Sequence, residues 1–142
     1  MYVDAALLFS DAQAVTAAAA STNYLDQGAA RDLGIGRTLY VVIVCDVAMT
    51  DAGSDSTLSV ALYGDSTSTF TPDGQQSLVT IPALTAVGTK FVIPIAPEMT
   101  SYRYLELYYT PNNGNLSTGS FTAFITDTPQ LNKVYADNIT IS

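Results

Sequence analysis

The stretch Arg31-Asp32-Leu33-Gly34-Ile35-Gly36 ends in a Gly-x-Gly, the spacing that opens a phosphate-binding loop. A dinucleotide fingerprint needs a third glycine three residues further on, a strand before it and a helix after it. Here Gly36 runs into Arg37-Thr38-Leu39, and the next segment reads as a strand. The Gly-Lys-Ser/Thr of a nucleotide-binding P-loop does not occur. Gly34 and Gly36 are therefore expected to turn the chain into that strand, supplying backbone angles that other residues resist.

The other reactive residue types are just as sparse. Histidine is absent, which removes the usual base of Ser-His and Cys-His nucleophiles and the commonest transition-metal ligand. Lys90 and Lys133 stand in no catalytic motif, the only glutamates are Glu98 and Glu106, and the aspartates fall mostly in turns. Asp51-Ala-Gly-Ser-Asp55 hints at a calcium loop but lacks the twelve-residue ligand pattern ending in glutamate. The single cysteine, Cys45, lies in the apolar run LYVVIVCDV, where a thiol packs as a small hydrophobe. The expectation is a chain that is not an enzyme, with no metal site and no cofactor.

Charge narrows the partners. Thirteen carboxylates face five cations (Arg31, Arg37, Lys90, Arg103 and Lys133), no two adjacent, for a formal net charge of −8. Binding nucleic acid means displacing condensed counterions with clustered Lys and Arg, so no nucleic-acid partner is expected. The same charge disfavours an anionic lipid surface, and no run approaches the roughly 18 apolar residues of a membrane span. The opening MYVDAALLFSDAQ lacks the basic region of a signal peptide, so folding in the cytoplasm is expected. Charged residues make up only 13% of the chain, against about 25% in an ordinary globular domain. That composition suits a surface partly covered by neighbours.

The elements that must position these residues are mostly strands. TLYVVIVCDV (38–47) is long enough for a helix, but its valines, isoleucine and tyrosine favour a central strand. TLSVALY alternates, Leu58, Val60 and Leu62 on one face and Ser59, Ala61 and Tyr63 on the other. RYLELYYT sets Leu105, Leu107 and Tyr109 against Tyr104, Glu106 and Tyr108. Pro94 marks an edge strand or a strand end, and Asn113-Gly114 suits a hairpin reversal toward SFTAFITD. The alanine-rich DAQAVTAAAASTN could form a helix capped by Asp11, but it offers little apolar face beyond Val15 and reads as a strand. Strands are predicted at 13–20, 23–26, 38–47, 57–63, 77–81, 89–95, 103–110 and 120–127. Eight short strands imply an all-β sandwich or jelly roll. The chain divides into an N-terminal arm (1–12), a β domain (13–127) and a C-terminal tail (128–142). Tyr2, Leu7, Leu8 and Phe9 on the arm, and Leu131, Val134, Tyr135, Ile139 and Ile141 on the tail, are apolar side chains that need a surface to bury them.

The order Phe9-Ser10-Asp11-Ala12-Gln13, Ser21-Thr22-Asn23, Asp26, Gly28-Ala29-Ala30-Arg31-Asp32-Leu33-Gly34 and Leu39-Tyr40-Val41-Val42 resembles the opening of the podovirus capsid cement, or decoration, proteins typified by that of a Bordetella phage. TLSVALYGDS and RYLELYYT follow in the expected order, and the likeness extends over roughly the first 127 residues. The resemblance implies a jelly-roll-like domain on the outer surface of an icosahedral head, assembled in the host cytoplasm. Its implied partners are the major capsid protein, whose neighbouring subunits it bridges, and itself, as a homo-oligomer and more readily a dimer than a trimer. On that reading the arm and tail residues above lie against capsid or sister subunits, and Arg31 and Arg103 are further contacts unless they pair internally with Asp32 or Glu106. The alternative is a glycan- or receptor-binding β module of a virion or adhesin, with exposed tyrosines as its platform.

Overall fold

A computed structural model describes residues 8–27, 39–69 and 73–126. Among these residues nine strands follow in order: β1 (Leu8–Ala14), β2 (Ala19–Ala20), β3 (Leu25–Asp26), β4 (Tyr40–Thr50), β5 (Thr57–Asp65), β6 (Gly74–Ile81), β7 (Lys90–Pro94), β8 (Tyr104–Asn112) and β9 (Thr118–Thr126). A short 3-10 helix, Pro97–Ser101, separates β7 from β8.

All pairings are antiparallel, in two sheets ordered β1-β9-β4-β7 and β2-β8-β5-β6, with β3 also on β8. Ala19 and Ala20 pair with Tyr109 and Tyr108, while Leu25 and Asp26 pair with Leu105 and Tyr104, so β2 and β3 are two pieces of one interrupted strand. Counted that way, each sheet has four strands. Every connection crosses between sheets except the β5–β6 hairpin, which is the double Greek key of a jelly roll.

Period-two patterning fills the space between the sheets. Leu58, Val60 and Leu62 from β5 and Leu105, Leu107 and Tyr109 from β8 meet Val41, Ile43 and Cys45 from β4 and Phe121 and Ala123 from β9, all at most 2% exposed. Tyr109 reaches furthest. Its ring stacks on Phe121 of the opposite sheet, centroids 6.2 Å apart, and its hydroxyl lies 2.8 Å from Ser10 Oγ on β1. Ser10 in turn donates to Gln13 Oε1 (2.7 Å), so the Tyr109 hydroxyl is the donor toward Ser10. Gln13 then binds the turn before β3: its Oε1 accepts from Thr22 N–H and Oγ1, and its Nε2 donates to the Ala20 carbonyl. One polar chain thus joins the two layers.

Three expectations are corrected. The strand predicted over 13–20 breaks at Val15, which is buried and donates its N–H to the Gly119 carbonyl as the chain turns from one sheet to the other. No residue of the alanine run is helical, and β1 instead reaches back to Leu8, within the expected arm. Asn113 and Gly114 do take positive φ (64° and 107°), but they join β8 to β9 in different sheets, so the reversal is a crossover and not a hairpin. Pro94 ends β7, an edge strand, as its missing N–H requires.

Candidate functional site

Chemistry at the reactive residues is muted by where the fold puts them. The Asp51 carboxylate is pushed up by desolvation, but amide hydrogen bonds from Ser56, Asp55 and Gly53 outweigh that and hold it below the ordinary range. Asp51 is therefore the clasp of its own turn, which explains the calcium-like spacing without a metal. Among the described residues no group of three His, Cys, Asp or Glu comes together as a metal site. Gly34 and Gly36 lie outside the described residues. The Cys45 thiol is 1% exposed, and burial, with the neighbouring Asp46 charge, pushes its pKa up. A thiol so placed is a poor nucleophile. In the folded protein it should resist a thiol reagent such as Ellman's until denaturant is added; rapid stoichiometric labelling of the native chain would contradict this placement.

What the fold exposes is surface, in three places. The first is the end from which the termini depart. Leu8 opens β1 opposite Phe124 on β9, and β9 ends at Thr126, so the start of β1 and the end of β9 lie side by side at one end of one sheet. Leu8 is half-buried there. By register, Leu8, Phe124, Val42 and Val92 form an apolar row across this sheet, in which Phe124 and Val42 are buried and Leu8 and Val92 partly exposed. Phe9 is placed differently from its expected interface role: it is 1% exposed and packed in the chain's own core, because the strand's alternation turns it inward. Tyr2, Leu7, Arg31, Leu131, Val134, Tyr135, Ile139 and Ile141 lie outside the described residues.

The second surface is the outer face of the β2-β8-β5-β6 sheet. Tyr24, half exposed, meets Tyr104 edge-to-face at 5.7 Å, and Tyr63 stacks on Tyr108 at 5.3 Å, with ring planes 11° apart. Arg103 lies over the Tyr104 ring at 4.9 Å and binds Asp26 through two hydrogen bonds, Nε to Oδ1 (2.9 Å) and Nη2 to Oδ2 (3.3 Å). Its acidic partner is thus Asp26 across the β3–β8 pair, not the expected Glu106. Glu106, between Tyr104 and Tyr108 in sequence, is largely buried, and desolvation pushes its carboxyl up. Strand alternation located Tyr63, Tyr104 and Tyr108 on this face in advance; Tyr24 and the Arg103–Asp26 pair depend on β3 folding back on β8, which no local pattern announces.

The third is the loop from Pro82 to Thr89, held against β4 by Met49 N–H to the Thr85 carbonyl and Gly88 N–H to the Cys45 carbonyl. Leu84 and Val87 are 52% and 64% exposed, beside an exposed Val47. Leu84 also carries a φ of 59°, a region in which a bulky side chain is strained. Thr85 is pinned inward by its own hydrogen bond to the Pro82 carbonyl, and that leaves Leu84 pointing out.

The family model Bbp16 matches residues 9–125. No curated protein matches the chain. Among solved structures, one titled "Structure of infectious bursal disease virus Gx strain" aligns at 12% identity with a TM-score of 0.47, over 84% of this chain and 30% of that one. The chain therefore spans under a third of that longer protein.

Proposed function

The chain belongs to the Bbp16 family, a family of phage structural proteins, and from that premise we propose that it is a capsid cement protein: it binds the outer surface of an icosahedral head and bridges neighbouring major capsid subunits. The family match over most of the chain carries the reading. The fold is consistent with it, because a jelly roll whose two ends depart side by side can direct two apolar segments toward one underlying surface. Cementing of this kind is binding linked to stability. A protein that binds only the assembled shell stabilises it by mass action, and repeated copies add avidity without any single strong contact.

Truncation tests the reading. Phe9 belongs to the core, so the N-terminal deletion must stop at residue 7, and the C-terminal deletion removes 129–142. Each should lower the occupancy of heads in co-sedimentation while leaving the melting transition of the β domain in place. Full occupancy by both truncated forms would refute the role given to the ends.

The tyrosine face favours a second reading, a glycan- or receptor-binding module, because Tyr24, half exposed at the edge of a tyrosine cluster, offers an aromatic ring of the kind that stacks on a sugar. Glycan-array binding that disappears in Tyr24→Ala, together with no affinity for heads, would select it over cementing.

A further inference from the structure

Strand alternation puts Tyr63 and Asp65 of β5, and Tyr104, Glu106 and Tyr108 of β8, on the outer face of the β2-β8-β5-β6 sheet. Glu106 is the anomaly among them. It stands directly opposite Tyr63 and two residues from Tyr104 and Tyr108, and although its face is turned to solvent it is only 9% exposed. Among the described residues no group donates a hydrogen bond to its carboxylate and no cation lies beside it, so burial alone acts on it. A carboxylate nine-tenths buried without a partner destabilises the fold that holds it, which points to a partner from outside the chain.

The chemistry of that partner is already on display nearby. Arg103 lies over the Tyr104 ring at 4.9 Å and gives two hydrogen bonds to Asp26, so a guanidinium is held between an aromatic face and a carboxylate. Glu106, beside the stacked rings of Tyr63 and Tyr108, repeats the ring and the carboxylate but lacks the cation. Asp65, opposite Tyr104 and 2% exposed, adds a second uncompensated charge, because its Oδ2 is buried without a hydrogen bond. Three carboxylates thus share this face with one arginine, and that arginine is committed to Asp26. Among the described residues they do not come together as a metal site. The group that would balance them is an organic cation flat enough to lie on a ring.

We propose that Glu106, Tyr63 and Tyr108 form a recognition site for an arginine side chain presented by a partner protein, its guanidinium stacking on the tyrosines and donating to the Glu106 carboxylate. Arginine fits better than lysine, because its planar group stacks on aromatic rings and is less strongly hydrated than an ammonium. The uncompensated charge of the face, on a chain of net charge −8, draws a basic partner surface toward it. The inference rests on the cement reading only for which chain presents the arginine, a capsid subunit. Its test uses free protein, so the two can fail separately.

Nuclear magnetic resonance of the full chain titrated with Nα-acetyl-arginine amide should show saturable shifts at the Tyr63 and Tyr108 rings and at the Glu106 carboxyl. The dissociation constant should be on the order of 1–10 mM, as for one stacked and hydrogen-bonded cation. The citrulline analogue, similar in shape but uncharged, should bind at least about tenfold more weakly. Glu106→Gln should weaken the arginine amide by about tenfold or more, whereas Glu98→Gln, which removes the same charge from the exposed 3-10 turn, should leave it unchanged. Glu106→Gln should also melt no lower than wild type, because it removes a desolvated charge that the free chain leaves uncompensated. A silent titration, an equal response to citrulline, or binding that survives Glu106→Gln would overturn the proposal. So would a Glu106→Gln chain that melts well below wild type, since the carboxylate would then serve the fold. Shifts at the same rings with methyl glycosides and none with arginine amide would overturn it in favour of the glycan module. A chain that binds arginine amide as described but ignores heads would leave the site standing and remove the cement reading.

Discussion

Gly64→Ala should cost about 3 kcal/mol of stability or more, beyond the usual 1–3 kcal/mol of an overpacked core. Gly64 and Gly74 face each other across the β5–β6 pair, and the Tyr102 ring lies along both. A Cβ on Gly64 would sit 2.3 Å from Tyr102 Cδ2 and 2.7 Å from Cγ, and one on Gly74 would sit 2.4 Å from the hydroxyl. The near end of the ring is tied to the backbone and cannot swing clear. Gly74→Ala meets the far end and should cost less, about 2 kcal/mol. Urea denaturation followed by circular dichroism measures both. The decisive control is the double-mutant cycle: in a Tyr102→Ala background the clash is gone, and Gly64→Ala should cost under about 1 kcal/mol. Equal costs in the two backgrounds would mean that the glycine serves something other than the ring.

Tyr109 should be the most sensitive side chain of the core. Tyr109→Ala removes a fully buried ring at the centre of the sandwich and should cost about 3–5 kcal/mol. Tyr109→Phe keeps the ring but removes the hydroxyl that donates to Ser10, which retains its bond to Gln13, and should cost about 1 kcal/mol. Burial, partly offset by the Ser10 hydrogen bond, pushes the Tyr109 hydroxyl up to about 12 from an ordinary value of 10.0. The sign follows directly. Between those two values the unfolded chain has lost this proton while the folded chain keeps it, so stability falls as pH rises. The contribution is complete below pH 10 and lost by about pH 12, amounting to about 2–3 kcal/mol. Alkaline melts of wild type and Tyr109→Phe should therefore converge with rising pH and then cross, since the wild type loses more than its initial advantage; parallel curves would show that Tyr109 titrates as a free tyrosine.

Much of the architecture was legible in the sequence because it rests on a local rule. Alternation at Leu58, Val60 and Leu62, and at Leu105, Leu107 and Tyr109, assigns core and outer faces before any partner strand is known. The uninterrupted apolar run at 41–45 marks a strand between two others, as β4 is between β9 and β7. What could not be read was set by contacts distant in sequence. Val15 interrupts its segment because a carbonyl at Gly119 awaits its N–H, and Asn113-Gly114 reverses the chain identically whether the next strand joins the same sheet or the other one. The candidate surfaces divide the same way. The outward tyrosines follow from alternation, whereas Phe9, apolar and near the start, is indistinguishable in sequence from an interface residue until β1 is paired with β9. The Arg103–Asp26 pair and the Tyr102 groove over two glycines are tertiary facts with no one-dimensional signature.

The pairing of β1 with β9 also bears on how the protein is made. Of the described strands, translation delivers β1 first and β9 last, and β9 is the partner that lies between β1 and β4. Until residue 126 has left the ribosome, the nascent polypeptide holds two strands of that layer with no neighbour between them. Closure of this layer is thus postponed until β9 has emerged, with β1 dependent meanwhile on chaperones or on staying solvated and β4 paired only with β7. A stalled or prematurely terminated product lacking the last strand has no native state to reach and should be cleared by proteolysis.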